Sequence, residues 1–330
     1  MSSPSLPNFS DITAAADRLR GVAVRTPLLS NYYLDQSTGR SIWLKAESLQ
    51  HTGSFKFRGA YNRLCQLSPD ERERGVIAWS SGNHAQGVAL AAAMLGIRAR
   101  IVMPADAPDI KRTNTRALGA EIVSYDRYTE DRELIARELA RRDGAIIVPS
   151  YDDPHIIAGQ GTMALELFQD CPTPLDALLV CTSGGGLLAG AALAAGGLSP
   201  KTALFSVEPE GFDDHAKSFG QGRRVSNDAA VNSLCDALLA PTPGELTFAI
   251  NQSRVAGGLV VTDTEVQSAM AFAFERLRLV LEPGGAVALA AVLAGKVAPN
   301  YQHIAVVLSG GNVDPVIFHE SCQNGSEQSR

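Results

Sequence analysis

Lys56 lies between two phenylalanines, in Ser54-Phe55-Lys56-Phe57-Arg58-Gly59, and is one of only six lysines in the chain. An amine flanked by aromatic rings loses hydration. That lowers its pKa and favours the neutral nucleophile that forms a Schiff base with an aldehyde. The same residue also fits a surface lysine snorkelling past apolar neighbours. A second pattern is Ser183-Gly184-Gly185-Gly186-Leu187. Glycines let successive N–H groups converge on an anion at a helix start, and phosphate is the usual guest; a tight turn that binds nothing is the plain alternative. The run also satisfies a dinucleotide fingerprint, Gly184-x-Gly186-x-x-Ala189, with Glu208 near the place of a ribose-binding acid. A third pattern, Ser80-Ser81-Gly82-Asn83-His84, offers two hydroxyls, an amide and backbone N–H groups to a carboxylate. It also fits a simple helix cap.

These residues sit at the joints of an alternating pattern. Short β-rich apolar runs at 41–45, 76–79, 100–103, 121–124, 145–148, 178–182, 203–207, 259–262 and 304–308 predict strands. Alanine-rich stretches such as 85–95 and 129–142 predict helices between them. Such alternation predicts an α/β fold with parallel-rich sheets covered by helices on both faces. Ligands then collect beyond the carboxyl ends of the strands. Three junctions there are small, polar and glycine-rich: those at Ser80, at Ser183 and at Ser309-Gly310-Gly311-Asn312. The polar tail after His319 is expected to fray.

Composition removes several classes. A 330-residue chain with 45% apolar and 19% charged residues can bury a large core. Its net charge of −6 argues against a nucleic-acid partner, and no run is long enough to cross a bilayer. Met1 to Pro7 show neither a basic start nor an apolar core, so no secretory leader is expected. Five scattered cysteines without a Cys-x-x-Cys pair point to thiols in a reducing cytoplasm rather than disulfides or zinc. The six histidines also lack metal-ligand spacing.

An anion cradle, a carboxylate cradle and a desolvated lysine on one scaffold are together what a pyridoxal-phosphate enzyme acting on amino acids requires. Two rivals stay open. A nicotinamide dehydrogenase would survive loss of Lys56, and a non-catalytic amino-acid-binding protein would bind its ligand without a chromophore.

At this point the chain resembles the fold type II pyridoxal-phosphate enzymes, in the serine/threonine dehydratase and serine racemase branch that includes hydroxyaspartate dehydratases. Five motifs carry the likeness, in the family's order: Gly53 to Ala60, Ser80 to Gly87, Ile157 to Thr162, Gly184 to Leu187, and Leu308 to Val313. The resemblance implies a tryptophan-synthase-β-like fold of two bodies, with residues 1–74 and 153–330 forming a large cofactor-binding domain and 75–152 a small mobile one. It implies a Schiff base on Lys56, with Phe55 and Asn83 lining the ring and its hydroxyl. The phosphate loop would run from Ser183 through Gly184, Gly185 and Gly186 to Leu187, with Ser183 replacing a usual glycine. Ser309 would face the pyridine nitrogen, and Ser81 would supply the proton-carrying hydroxyl opposite Lys56. Ser80, Ser81, Asn83, His84 and Gln86 would hold the substrate carboxylate. Arg132, with Arg127 nearby, would meet a second one. Glu208, Asp214 and the Phe212 carbonyl would bind Mg²⁺, or else Ca²⁺ or Mn²⁺.

The implied reaction is loss of water from a 3-hydroxy amino acid, giving a 2-oxo acid and ammonia. L-threonine, L-serine and 3-hydroxyaspartate are the candidate substrates. A 3-hydroxyaspartate-specific enzyme and a serine or aspartate racemase with side dehydratase activity remain alternatives. Tyr151 and Ala240 differ from the residues usual in racemases and lean away from the last. A cytoplasmic homodimer acting on small molecules completes the expectation, without a regulatory domain beyond Asn312.

Overall fold

The computed structural model describes residues 6–107, 109–228 and 231–328. Ten strands form two sheets. They are β1 (Leu28–Ser30), β2 (Ser41–Ala46), β3 (Val76–Trp79), β4 (Ala99–Pro104), β5 (Glu121–Tyr125), β6 (Ile146–Ile147), β7 (Ala177–Cys181), β8 (Ala203–Pro209), β9 (Gly257–Val261) and β10 (His303–Leu308). The six-stranded sheet has the order β1-β2-β10-β7-β8-β9, and the four-stranded sheet the order β5-β4-β3-β6. Every pairing is parallel except β1 with β2.

The sequence explains the layering. β4 and β7 are buried along their whole length, and β10 along all but its first residue. Parallel strands covered by helices on both faces need continuous apolar runs of this kind. Two helices between strands are nearly featureless in polarity. Gly186–Leu198 and Pro283–Leu293 are each buried from their first residue through ten positions or more. Helices that are apolar all round belong inside.

The sheet order positions the junctions. β2, β10 and β7 are consecutive neighbours. Their carboxyl ends therefore deliver the Lys56 segment, the Ser309 loop and the glycine loop side by side. β8, next in the sheet, ends at Glu208 and Pro209.

The Lys56 helix (Lys56–Leu64) buries Phe57, Ala60 and Leu64 in the core of the four-stranded sheet. Its other side faces the helix Pro154–Asp170. There an ideal Cβ on Gly159 would lie 2.6 Å from the Arg58 carbonyl. One on Gly161 would lie 2.8 Å from the Gly190 carbonyl of the glycine-loop helix. The motif Ile157 to Thr162 is thus a close-packing seam that locks the lysine helix to the phosphate-loop helix. A buried charge network tightens it. Arg58 donates to Glu47 (2.8 and 2.9 Å) and Glu166 (2.7 and 2.9 Å), and Lys45 donates to Glu166 (2.7 Å).

Two expectations differ. Through Gln328 the tail is helical rather than frayed: Pro315–Gln328 packs against Asp263–Phe272, and Gly325 lies so close that its Cβ would meet the Gln267 carbonyl at 2.3 Å. Composition alone reads polar; Gly325, Phe318 edge-on to Phe274, buried Ser321 and Ser326 donating to Glu275 are what seat it. β1 is also new, an antiparallel edge of three residues too short to show a period. Among the described residues no helix is long and apolar enough to cross a membrane.

Candidate active site

The chain reaches Lys56 through a strained turn. Thr52 has φ 57°, a left-handed conformation that is costly for a β-branched residue. It is held by Asn312, whose side-chain amide donates to the Thr52 carbonyl (2.6 Å). Residues 53–55 then run along the Ser309 loop: Gly311 N–H donates to Gly53 (2.9 Å), Ser54 bridges Gly310, and Phe55 N–H donates to Ser309 (3.1 Å). The lysine helix begins immediately afterwards. Its amine donates to the Ser150 carbonyl (2.9 Å) and sits 5.2 Å from the Phe55 ring centroid. Burial lowers the Lys56 pKa to about 8, against the opposing pull of Cys181 and Glu282.

The glycine loop caps the helix Gly186–Leu198 from Gly185, at φ 92°. Its carbonyls point inward. Gly184 accepts from Thr247 Oγ1 (2.6 Å) and Gly244 N–H (3.2 Å), and Gly185 from the Asn251 side chain (3.3 Å). A helix start leaves its first N–H groups without intrahelical acceptors, so anion donors are on offer here. There is no room for side chains: a Cβ on Gly184 would lie 2.3 Å from the Tyr151 ring and one on Gly185 2.7 Å from His215. Ser183, in place of a glycine, accepts Ala240 N–H (3.2 Å), and Leu187 is buried beneath.

The third junction opens the helix Asn83–Leu95. Ser80 and Ser81 are half-buried, with Ser80 Oγ accepting Gly82 N–H (3.1 Å). Asn83 is held from two sides, its amide donating to Glu282 (2.5 Å) and its carbonyl oxygen accepting from Asn312 (2.7 Å). Burial, and then the charge of Asp236, push Glu282 up to about 7. Ser309 hydrogen-bonds Cys181, whose thiol burial raises to about 11.

Some expected ligands are otherwise engaged. His84 Nε2 meets the Val148 carbonyl (2.9 Å), and burial together with the Lys56 charge drops its pKa to about 3. Its imidazole is a neutral structural tie rather than a carboxylate donor; only its backbone N–H stays at the helix start. Gln86 is buried at the end of the first turn. Arg132 opens the exposed start of Arg132–Asp143, and its charge is felt at Tyr151. Arg127 does not add a second free charge, because it pairs with Asp106 (2.8 Å) at the surface.

Sequence reasoning passed over Glu282, Ser150, Cys181 and Asp152. Glu282 carried one local signal, as the residue before Pro283-Gly284-Gly285 at a helix start. The others have no spacing that marks them.

Beside the glycine loop, Glu208 turns both oxygens to backbone N–H groups of His215 and Ala216 (2.9 Å each). Those bonds fix the carboxylate's orientation beside Asp214, while each oxygen keeps acceptor capacity. Asp214 accepts from Asn227 (2.7 Å) on one oxygen, and its other oxygen is buried without a partner. Burial raises both acids, Asp214 to about 7 and Glu208 well above the usual range. Two buried carboxylates with an orphaned oxygen, one on each side of Phe212, suit a hard cation with backbone and water ligands. Among the described residues no group of three His, Cys, Asp or Glu side chains gathers to hold a metal.

The donor set also fits pyridoxal phosphate: amides at a helix start for the phosphate, a half-buried amine for the aldehyde, and Asn83 and Ser309 for the ring. Comparison with known proteins agrees. The family model "Pyridoxal-phosphate dependent enzyme" matches residues 19–310. The chain is similar to an L-threo-3-hydroxyaspartate ammonia-lyase of Pseudomonas sp, at 46% identity over 94% of this chain and 96% of that protein. It is similar to a serine racemase of Schizosaccharomyces pombe, at 42% over 94% and 95%. The solved structure of maize serine racemase superposes with a TM-score of 0.91, at 35% identity over 98% of this chain and 99% of that one.

Proposed function

This chain belongs to the pyridoxal-phosphate dependent enzymes, and from that premise we propose that it is a 3-hydroxy-amino-acid ammonia-lyase. The carrying observation is the half-buried Lys56 amine, lowered to about 8, beside a loop whose glycines Tyr151 and His215 leave no room to replace. Pyridoxal phosphate, when bound, supplies an aldehyde for amines and an electron sink for the Cα–H bond.

The chain's own residues supply the rest. Lys56 near neutrality is partly uncharged and takes the Cα proton as general base. The helix start at Ser80, Ser81 and Asn83 orients the substrate carboxylate toward backbone N–H groups. Asn83, gripped by Glu282 and Asn312, would hold the cofactor's ring hydroxyl. Ser309 would offer the pyridine nitrogen a hydroxyl rather than a carboxylate, a partner suited to elimination more than to transamination. Water is lost across Cα–Cβ, and the released enamine hydrolyses to a 2-oxo acid and ammonia.

L-threo-3-hydroxyaspartate is the favoured substrate, from the likeness to the Pseudomonas lyase and from Arg132 at the exposed helix start, where its charge reaches Tyr151. The likeness to a serine racemase, with Ser81 in place, supports racemization as a second reading. Mg²⁺ or Ca²⁺ at Glu208, Asp214 and the Phe212 carbonyl, a smaller body at 75–152 built on the four-stranded sheet, and a reducing cytoplasm for five free thiols complete the reading. A homodimer is proposed on the exposed Tyr32, Tyr33, Phe274 and Val316, apolar side chains that a second copy would cover.

Turnover of serine, threonine and both 3-hydroxyaspartate diastereomers, read as pyruvate, 2-oxobutyrate or oxaloacetate, tests the reading. Preferred formation of oxaloacetate supports it. Absence of any 2-oxo acid with all four would overturn it.

A further inference from the structure

The helix Glu245–Asn251 begins at Gly244, which has no side chain to cap it. The cap comes from far away in the chain. The carboxylate of Asp152 accepts the N–H groups of Glu245 (2.9 Å), Leu246 (2.9 Å) and Thr247 (3.1 Å). Contact is close enough that an ideal Cβ on Gly244 would lie 2.4 Å from Asp152 Oδ1. The same short helix clamps the glycine loop, through Thr247 Oγ1 and Gly244 N–H on the Gly184 carbonyl and Asn251 on the Gly185 carbonyl.

Asp152 also ends the segment 148–152, which touches the site at three of its other residues. Val148 meets His84, Ser150 accepts the Lys56 amine, and Tyr151 lies against Gly184 and Gly186. A peptide plane whose carbonyl is pinned cannot swing, so the N–H it shares with that carbonyl, on Gly185 and Gly186, is aimed before any ligand arrives. Preorganisation of this kind raises affinity by removing an ordering cost.

We propose that Asp152, acting through Thr247, is a positioning residue that holds the Gly184 to Gly186 loop in its phosphate-accepting shape. The inference rests on the cofactor reading above and adds a residue pair to it.

Cofactor-depleted protein titrated separately with pyridoxal 5'-phosphate and with pyridoxal tests it. The readout is the visible absorbance gained when either aldehyde condenses with Lys56 and releases water. Pyridoxal needs the lysine and not the phosphate cradle. Asp152→Ala and Thr247→Val should each weaken pyridoxal phosphate by about five- to tenfold, the scale of one helix cap. The double variant should lose no more than the worse single one, Asp152→Asn should fall in between, and pyridoxal affinity should hold within about twofold. Parallel loss of both aldehydes, unchanged phosphate affinity or multiplying losses would overturn the role. Thr247→Val, which keeps the side-chain shape, carries the test where Asp152→Ala fails to fold. A wild-type protein that binds neither aldehyde overturns the cofactor reading and this inference with it, a result unlike any of the others.

Discussion

Asn83 and Glu282, 199 positions apart, meet at 2.5 Å with the asparagine amide donating to a buried carboxylate. Burial and Asp236 raise that carboxylate to about 7 from an ordinary 4.5, while Asn83, Lys111 and Lys56 oppose the rise. Between those two values the folded chain holds a proton that the unfolded chain has released. The stability this contributes is full below about pH 4.5 and is lost as pH climbs through 7. Glu282→Gln should therefore flatten the decline of thermal stability across that window, by up to roughly 3 kcal/mol. Unfolding midpoints from pH 4 to 8 for both proteins, run in parallel, measure it; identical curves would count against the shift.

Lys56→Ala should give a protein that gains no visible absorbance with pyridoxal phosphate, and turnover should fall by roughly a thousandfold or more. In the wild type, attachment of the cofactor to depleted protein should speed up with pH and level off above about 8, because only the neutral amine reacts. A midpoint near the ordinary lysine value would contradict the desolvated site.

Arg132→Ala should reduce kcat/KM for 3-hydroxyaspartate at least about tenfold more than for threonine if the arginine reads the side-chain carboxylate. Equal damage would assign it to the carboxylate common to both substrates. In the same assay Ser81→Ala should abolish processing of D-isomers and spare elimination from L-isomers. Equal loss from both series would contradict that division.

Mg²⁺ or Ca²⁺ at a hundred times its dissociation constant should stabilise the wild type by about 2.7 kcal/mol, and a chelator should remove the gain. Asp214→Asn should remove it too, since the orphaned oxygen is then no longer a carboxylate oxygen. Thermal midpoints with and without the ion decide this. A full response in the variant would place the cation elsewhere.

Arg58→Met should cost about 3–5 kcal/mol in urea unfolding, because it strands Glu47 and Glu166 without their shared partner. A loss below about 1 kcal/mol would mean that the network relaxes or takes up protons at little cost.

Much of this site was legible before folding. Apolar runs bounded by Gly, Asn or Pro located nine of the ten strands, because strands buried on both faces cannot avoid writing such runs. The chemistry-bearing junctions were legible for a related reason. Loops beyond parallel strands must be small and polar to approach a ligand, so Ser80, Gly184 and Ser309 stand out by composition. The role of the His84 ring was not legible, since only the fold brings the Val148 carbonyl to it and leaves the backbone N–H at the helix start.

Residue order by itself thus settled an α/β class, a lysine between phenylalanines and a three-glycine bend, all of them properties of neighbouring residues. The tertiary structure alone decided which distant groups complete them: Ser150 on Lys56, Glu282 and Asn312 on Asn83, Asp152 beneath the helix that holds the bend. Hydrogen bonds reach about 3 Å in space and carry no trace of separation along the chain, so no local spacing announces them.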